Sequence, residues 1–173
     1  TAHTVSYQAR LECGYTNTVP FQYIVTYNNV NYPVSDPPLQ NYYFASPVIT
    51  SVTNGTAVIP VNSTVTRDIT IVQQGANASL DTLIILDQHS ADVQVLSVST
   101  GTLHLYSGPG PVQVDTIILT GSDLPGGNGK FDHGETIVLS EVVKLAGCSN
   151  GQSTIKATWG CNGEYCSFYA AFP

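Results

Sequence analysis

The sequence predicts an all-β antiparallel sandwich, and three observations carry that prediction. Only 10% of the 173 residues are charged, and Thr, Ser, Asn, Val and Tyr fill much of the balance; the β-branched and aromatic ones suit pleated, half-buried surfaces. No stretch holds apolar residues at a sustained helical spacing. Short candidate strands recur instead, at 46–53, 56–61, 65–73, 80–87, 92–99, 102–106, 112–120, 136–145, 152–160 and 165–172, with turn formers between them. Those separators include Asn54-Gly55, Gly75-Ala-Asn77, Gly101, Gly108-Pro-Gly-Pro111 and Asn162-Gly163, the last a two-residue hairpin signal. Strands at this spacing point to an immunoglobulin-like pair of sheets, in a chain long enough for one well-buried core but not for two full domains.

The N-terminal part reads differently. Two strands are expected, His3 to Leu11 and Phe21 to Tyr27, from alternation and from β-branched and aromatic content. Residues 28–41 are turn formers and prolines, with Pro37-Pro38 favouring an extended path, so a linker is expected there. The expected organisation is an N-terminal strand arm with a Pro-rich connection at 1–41, then the sandwich at 42–173. Ser6 to Cys13 aligns without gaps to Thr154 to Cys161, matching Ala9 to Ala157 and Cys13 to Cys161, with Tyr7 against Ile155 and Leu11 against Trp159. Two readings stay open: unrelated β-strands, or an arm that copies a closing strand of the sandwich.

Charge and processing signals bear on partners and compartment. The net charge is −7, and only Arg10, Arg67, Lys130, Lys144 and Lys156 are basic. Neither nucleic acid nor an anionic membrane surface finds a basic footprint here, and no apolar run reaches bilayer length. The absence of methionine suggests a processed or excised chain. Asn54-Gly-Thr56, Asn62-Ser-Thr64 and Asn77-Ala-Ser79 are glycosylation sequons. Together with four cysteines and low charge, they make an extracellular protein the expectation.

Candidate sites are few. The glycine-dense segment 123–135 places Asp123, Asn128, Asp132 and Glu135, with the Lys130 carbonyl, as candidate calcium ligands. The competing reading is a rigid inter-strand loop whose glycines make the turns and whose carboxylates bond to backbone amides. Asp87, His89 and Ser90 invite a triad, but strand alternation points Ser90 away from the other two, so a polar strand end is preferred. His3, His104 and His133 have no zinc-ligand spacing. Cys161 and Cys166 flank a short hairpin turn and are the expected disulfide. Cys148 and Cys161 are separated by a strand spanning roughly 40 Å, which disfavours that pair. Cys13 and Cys148 would then pair within the chain, or Cys13 across subunits.

Three segments carry a family resemblance: Leu83-Ile-Ile-Leu-Asp-Gln-His-Ser90, Asp123-Leu-Pro-Gly-Gly-Asn-Gly-Lys-Phe-Asp-His-Gly-Glu-Thr-Ile137 and Ala157-Thr-Trp-Gly-Cys-Asn-Gly-Glu-Tyr-Cys166. Over residues 81–166 the chain resembles the repeated immunoglobulin-like modules of very large Bacteroidota surface proteins, the group with gliding-motility-associated C-terminal sorting domains. Asn128 stands where an acidic residue is common in those modules. The resemblance implies a structural or adhesive role at the cell surface, without catalytic activity. The expected function is therefore a subunit or repeat of an adhesive surface fibre. Its partners would be copies of itself, joined head to tail by a strand-exchanging arm that buries Val5, Tyr7, Ala9 and Leu11. The alternative is a carbohydrate- or protein-binding module, meeting a glycan or host surface through Tyr15, Tyr27, Tyr32, Tyr42, Tyr43 or Trp159. A sugar platform needs exposed aromatics, whereas Trp159 in mid-strand is expected in the core.

Overall fold

The computed structural model describes residues 18–19, 24–33, 40–41, 45–54, 58–75, 78–148, 151–161 and 164–172. The chain divides into two compact units, Thr1–Tyr43 and Phe44–Pro173. In the first, β1 (Thr18–Val19) pairs with β4 (Gln40–Asn41), and β2 (Ile24–Tyr27) forms an antiparallel hairpin with β3 (Val30–Pro33). Asn28 and Asn29 both have positive φ, 47° and 60°, as a type I′ turn requires. Over 28–33 a hairpin thus stands where a linker was expected, on an Asn-Asn turn signal; residues 34–39, with Pro37-Pro38, lie outside the described residues. The strand expected at 3–11 lies outside the described residues.

The second unit contains β5 (Pro47–Val52), β6 (Thr64–Gln73), β7 (Thr82–Ser90), β8 (Val93–Val98), β9 (Thr102–His104), β10 (Val112–Thr120), β11 (Thr136–Leu145), β12 (Ser153–Cys161) and β13 (Glu164–Phe172). One sheet has the order β5-β6-β11-β8 and the other β13-β12-β7-β10-β9, and every pairing is antiparallel. The first order matches the ABED sheet of an immunoglobulin-like sandwich, and β13-β12-β7 matches its GFC sheet. The extra pair β10-β9 extends that second sheet. It enters the chain after β8, the D-equivalent strand.

The strand expected at 56–61 is not formed over its described part. Pro60 has no N–H to give a ladder, and its carbonyl accepts the Ser63 N–H (3.0 Å) across a turn with Asn62 at φ 66°. At the β8–β9 turn, Gly101 has φ 83° and passes so close to β10 that a Cβ would lie 2.9 Å from the Ile118 carbonyl oxygen. Only glycine meets both demands.

Alternation puts one side of each long strand inside. Ile69 and Ile71 from β6, Leu83 and Ile85 from β7, Ile117 and Leu119 from β10, Leu139 from β11, and Ile155 and Ala157 from β12 build the main core with Leu80 and Phe131. Trp159 is partly buried against it, in keeping with its mid-strand position. A second cluster, Val93, Val95 and Val143, forms around β8. On β6 the inward series runs Val65, Arg67, Ile69, and on β11 it runs Leu139, Glu141, Val143. A charged layer therefore lies between the two apolar clusters, which are bridged by half-buried Val98 and Leu103.

Candidate functional site

Cross-strand register assembles this charged layer from residues far apart in sequence. Within one sheet Arg67 of β6 lies opposite Glu141 of β11. In the other, Asp87 of β7 lies opposite Asp115 of β10, and His89 of β7 opposite Ser153 of β12. Arg67, Asp87, His89, Asp115 and Glu141 are all buried. Two aspartates directly opposite each other repel, and a buried ion is costly unless paired, so the layer persists only through its cations.

Arg67 reaches across the sandwich. Its Nε donates to Glu141 Oε2 (2.6 Å), its Nη2 to Asp87 Oδ2, and its Nη1 to Ser153 Oγ (3.0 Å). The Ser153 hydroxyl in turn donates to Asp87 Oδ1. His89 Nε2 lies 3.0 Å from Asp115 Oδ2 and Nδ1 2.9 Å from the Ser90 carbonyl, while the Tyr106 N–H donates to Asp115 Oδ1 (2.7 Å). Both ring nitrogens of His89 face acceptor oxygens. A neutral imidazole donates from only one nitrogen, so this geometry fits the imidazolium. Burial works against that charge, but the Ser90 carbonyl and Asp115, with the field of Asp87, outweigh it and raise the His89 pKa.

The charges then balance without Glu141: Arg67 and His89 against Asp87 and Asp115. Burial pushes the Glu141 carboxyl up to about 7, reinforced by Asp87 and Asp115 and opposed by Arg67. Its Oε1 is buried with no hydrogen-bond partner, as is Ser90 Oγ. Asp87 and His89 do share the inward side, as alternation required. Arg67, Asp115, Glu141 and Ser153 escaped the sequence reading, although three of them occupy inward positions of otherwise apolar alternations in a chain poor in charge. The cluster contains no nucleophile–base hydrogen bond of the triad kind, because Ser153 is committed to Asp87 and Arg67 and both His89 nitrogens are occupied.

The 121–135 loop holds two short 3₁₀ turns, Gly121–Asp123 and Pro125–Gly127. Asp123 accepts from the Thr120 amide (3.2 Å), the Gly101 amide (3.2 Å) and the Thr100 hydroxyl (3.1 Å). These bonds, the Thr120 amide foremost, lower its pKa. Asn128 donates from Nδ2 to Asp132 Oδ2 (2.7 Å) and accepts the Lys130 N–H at Oδ1 (2.9 Å), while Glu135 Oε2 accepts the Asp132 N–H (2.7 Å). Gly126 has φ 80°, and a Cβ there would meet Glu135 Oε1 at 2.2 Å. The candidate ligands thus spend oxygens on amides, and Asp123 is tied to the 100–101 turn. Among the described residues no group of three or more His, Cys, Asp or Glu is placed to hold a metal ion. Melting in chelator and in millimolar calcium compares the two readings. A loop held by its own amide bonds gives coincident midpoints, which we expect, whereas a bound ion raises the calcium midpoint by mass action.

Cys148, one of the two partners expected for Cys13, is exposed and unbonded among the described residues. Cys13 lies outside the described residues, as do Val5, Tyr7, Ala9, Leu11 and Asn77. Register sets Cys161 opposite Glu164 and Cys166 opposite Trp159, so the two cysteines expected to bond are diagonal rather than directly opposed. Asn54 is exposed at φ 54° and donates from Nδ2 to the Thr66 carbonyl (2.8 Å), and Asn62 is exposed in its turn.

No protein-family model matches this chain, and no curated protein does. A solved structure of AvmM, described as catalysing macrocyclization in alchivemycin A biosynthesis, aligns over 86% of this chain and 86% of its own, at 15% identity and a TM-score of 0.38. That neighbour is itself described as a catalyst, which runs against the expected lack of catalytic activity. At that identity and score it assigns neither a reaction nor a substrate here.

Proposed function

We propose that the chain is a structural module of an extracellular surface protein, assembling with copies of itself into an adhesive fibre. The observation that carries this reading is the ionic tie inside the sandwich: Arg67, on the β5-β6-β11-β8 sheet, grips Asp87 and Ser153 on the opposite sheet. Such a tie resists sliding of one sheet over the other in a way that apolar contacts, which are non-directional, do not. The resemblance of residues 81–166 to surface-protein modules supports the same reading.

The sheet edges supply a route to assembly. β9 pairs only with Thr116–Ile118 of the nine-residue β10. Val112 and Val114, beyond that pairing, are 48% and 36% exposed. An edge with free ladder groups and exposed valines accepts an added strand, and residues 4–12 of a neighbouring copy have the alternation to provide one. Head-to-tail repetition of that contact does not close and generates a filament. Electron microscopy of the full chain and of a chain lacking residues 1–14 tests the proposal. Fibres from the full chain and dispersed particles from the shortened one are expected. A strictly monomeric full chain, or fibres that persist after truncation, would overturn strand exchange.

A further inference from the structure

We propose that the interior charge layer is a proton-linked lock: the folded sandwich holds a proton on the Glu141 carboxyl, and giving it up loosens the β8–β11 end. The geometry requires a neutral partner somewhere in the layer. Glu141 on β11 is bonded to Arg67 from β6 and lies in the field of Asp87 from β7 and Asp115 from β10, in the layer that also holds His89 from β7 and Ser153 from β12, while its partner on β8 is Val98, which carries no charge. Three carboxylates meet one guanidinium and one imidazole, and Arg67 is already shared between Asp87 and Glu141. An ionised Glu141 would leave a charged, buried Oε1 without any hydrogen bond. A neutral carboxyl leaves only an uncharged group unpaired there, which costs far less.

Two groups make the response steep. With Glu141 neutral and His89 charged, the layer sums to zero. Once Glu141 ionises and His89 loses its proton, Arg67 alone faces three anions, and Asp115 loses its cationic partner. Both changes run in one direction with pH. The Glu141 pKa rises from 4.5 toward about 7 on folding, and that of His89 is raised above 6.5. In each case the folded chain binds the proton more tightly, so the stabilisation is present in mild acid and lost as pH rises through neutrality. Asp123 and Asp132 act oppositely. Their pKa values are lowered, so their contribution is lost only as pH falls through the ordinary carboxylate range, below this window.

The end of the sandwich that loosens is set by position. The layer lies beside the small Val93, Val95 and Val143 cluster, which meets the main core through half-buried Val98 and Leu103, and β8 is an edge strand laddered to β11, the strand that carries Glu141. Amide exchange in β8 is therefore expected to accelerate above pH 7 before exchange in β6 and β7 does.

Urea unfolding of the full chain from pH 5 to pH 8.5 tests the lock. The folded-to-unfolded ratio should fall across that range by on the order of a hundredfold, and E141Q should remove most of the slope, because the amide keeps the shape without the proton. The surface histidines are common to both chains, so the difference isolates the layer. If E141Q does not fold, calorimetric unfolding of the unmodified chain at pH 6 in buffers of different ionisation enthalpy gives the same answer, with net proton release expected. A stability that is flat or rises from pH 5 to pH 8, an E141Q slope equal to that of the unmodified chain, or unfolding without proton release would overturn the proposal.

Discussion

Replacing Arg67 by alanine should destabilise the sandwich by about 3–5 kcal/mol, the cost of removing one partner from a buried ion pair. The size of the effect comes from what is left behind. Asp87 keeps only the Ser153 hydroxyl and still lies directly opposite Asp115. Glu141 loses the single hydrogen bond that its Oε2 makes to the guanidinium. Water has little access to compensate, since Asp87 and Glu141 are both 0% exposed. Urea unfolding at pH 6, where Glu141 is expected to be neutral, measures the loss. The triple variant Arg67→Met, Asp87→Leu, Glu141→Leu should recover most of it, because well-packed apolar replacements of a buried charged triad are often neutral or stabilising. A single Arg67→Ala loss below about 1 kcal/mol would place the network in the class of surface pairs and remove the mechanical argument for it.

The layer was hard to read in the sequence for a definite reason. Strand existence follows from local pattern, and β10 (Val112–Thr120) and β11 (Thr136–Leu145) fall where alternation and turn residues put them. Direction is another matter. In Thr66-Arg-Asp-Ile69 two neighbouring charges point to opposite faces, and local composition favours neither as the inward one. Arg67 is inward because it keeps register with Ile69 and Ile71, while Asp68 turns outward to accept from the Ser140 hydroxyl (2.6 Å). Its union with Asp87 is between sheets, which no strand pattern encodes. The 28–33 hairpin is hidden for a different reason: the prolines that follow outweigh the positive-φ capacity of Asn28 and Asn29, which makes the turn.

The same contrast explains the 123–135 loop, where glycines and carboxylates suggested an ion while a single aromatic goes deepest. Among the described residues Phe131 is the largest fully buried side chain. Its backbone exchanges hydrogen bonds with Leu80, at 2.8 Å and 3.2 Å, so the loop is pinned to the segment entering β7. Leu124, 4% exposed, adds a second apolar contact to the same core. Phe131→Ala should therefore destabilise the fold by about 3–5 kcal/mol, combining lost transfer energy with the cavity left behind. It should also release the middle of the loop selectively, because the bonds of Asn128 to Asp132 and Lys130 and of the Glu135 carboxylate to the Asp132 N–H are exposed or part-buried and close within the loop, while the Asp132 side chain's bond to Ser79 and the Glu135 carbonyl's bond to the Gln73 N–H anchor its far end. Limited proteolysis should then cut between Asp123 and Glu135 in the variant while β6 and β7 stay protected, and millimolar calcium should not restore resistance. A Phe131→Ala chain that melts with the unmodified one, or whose loop calcium protects, would return the ordering of this segment to an ion.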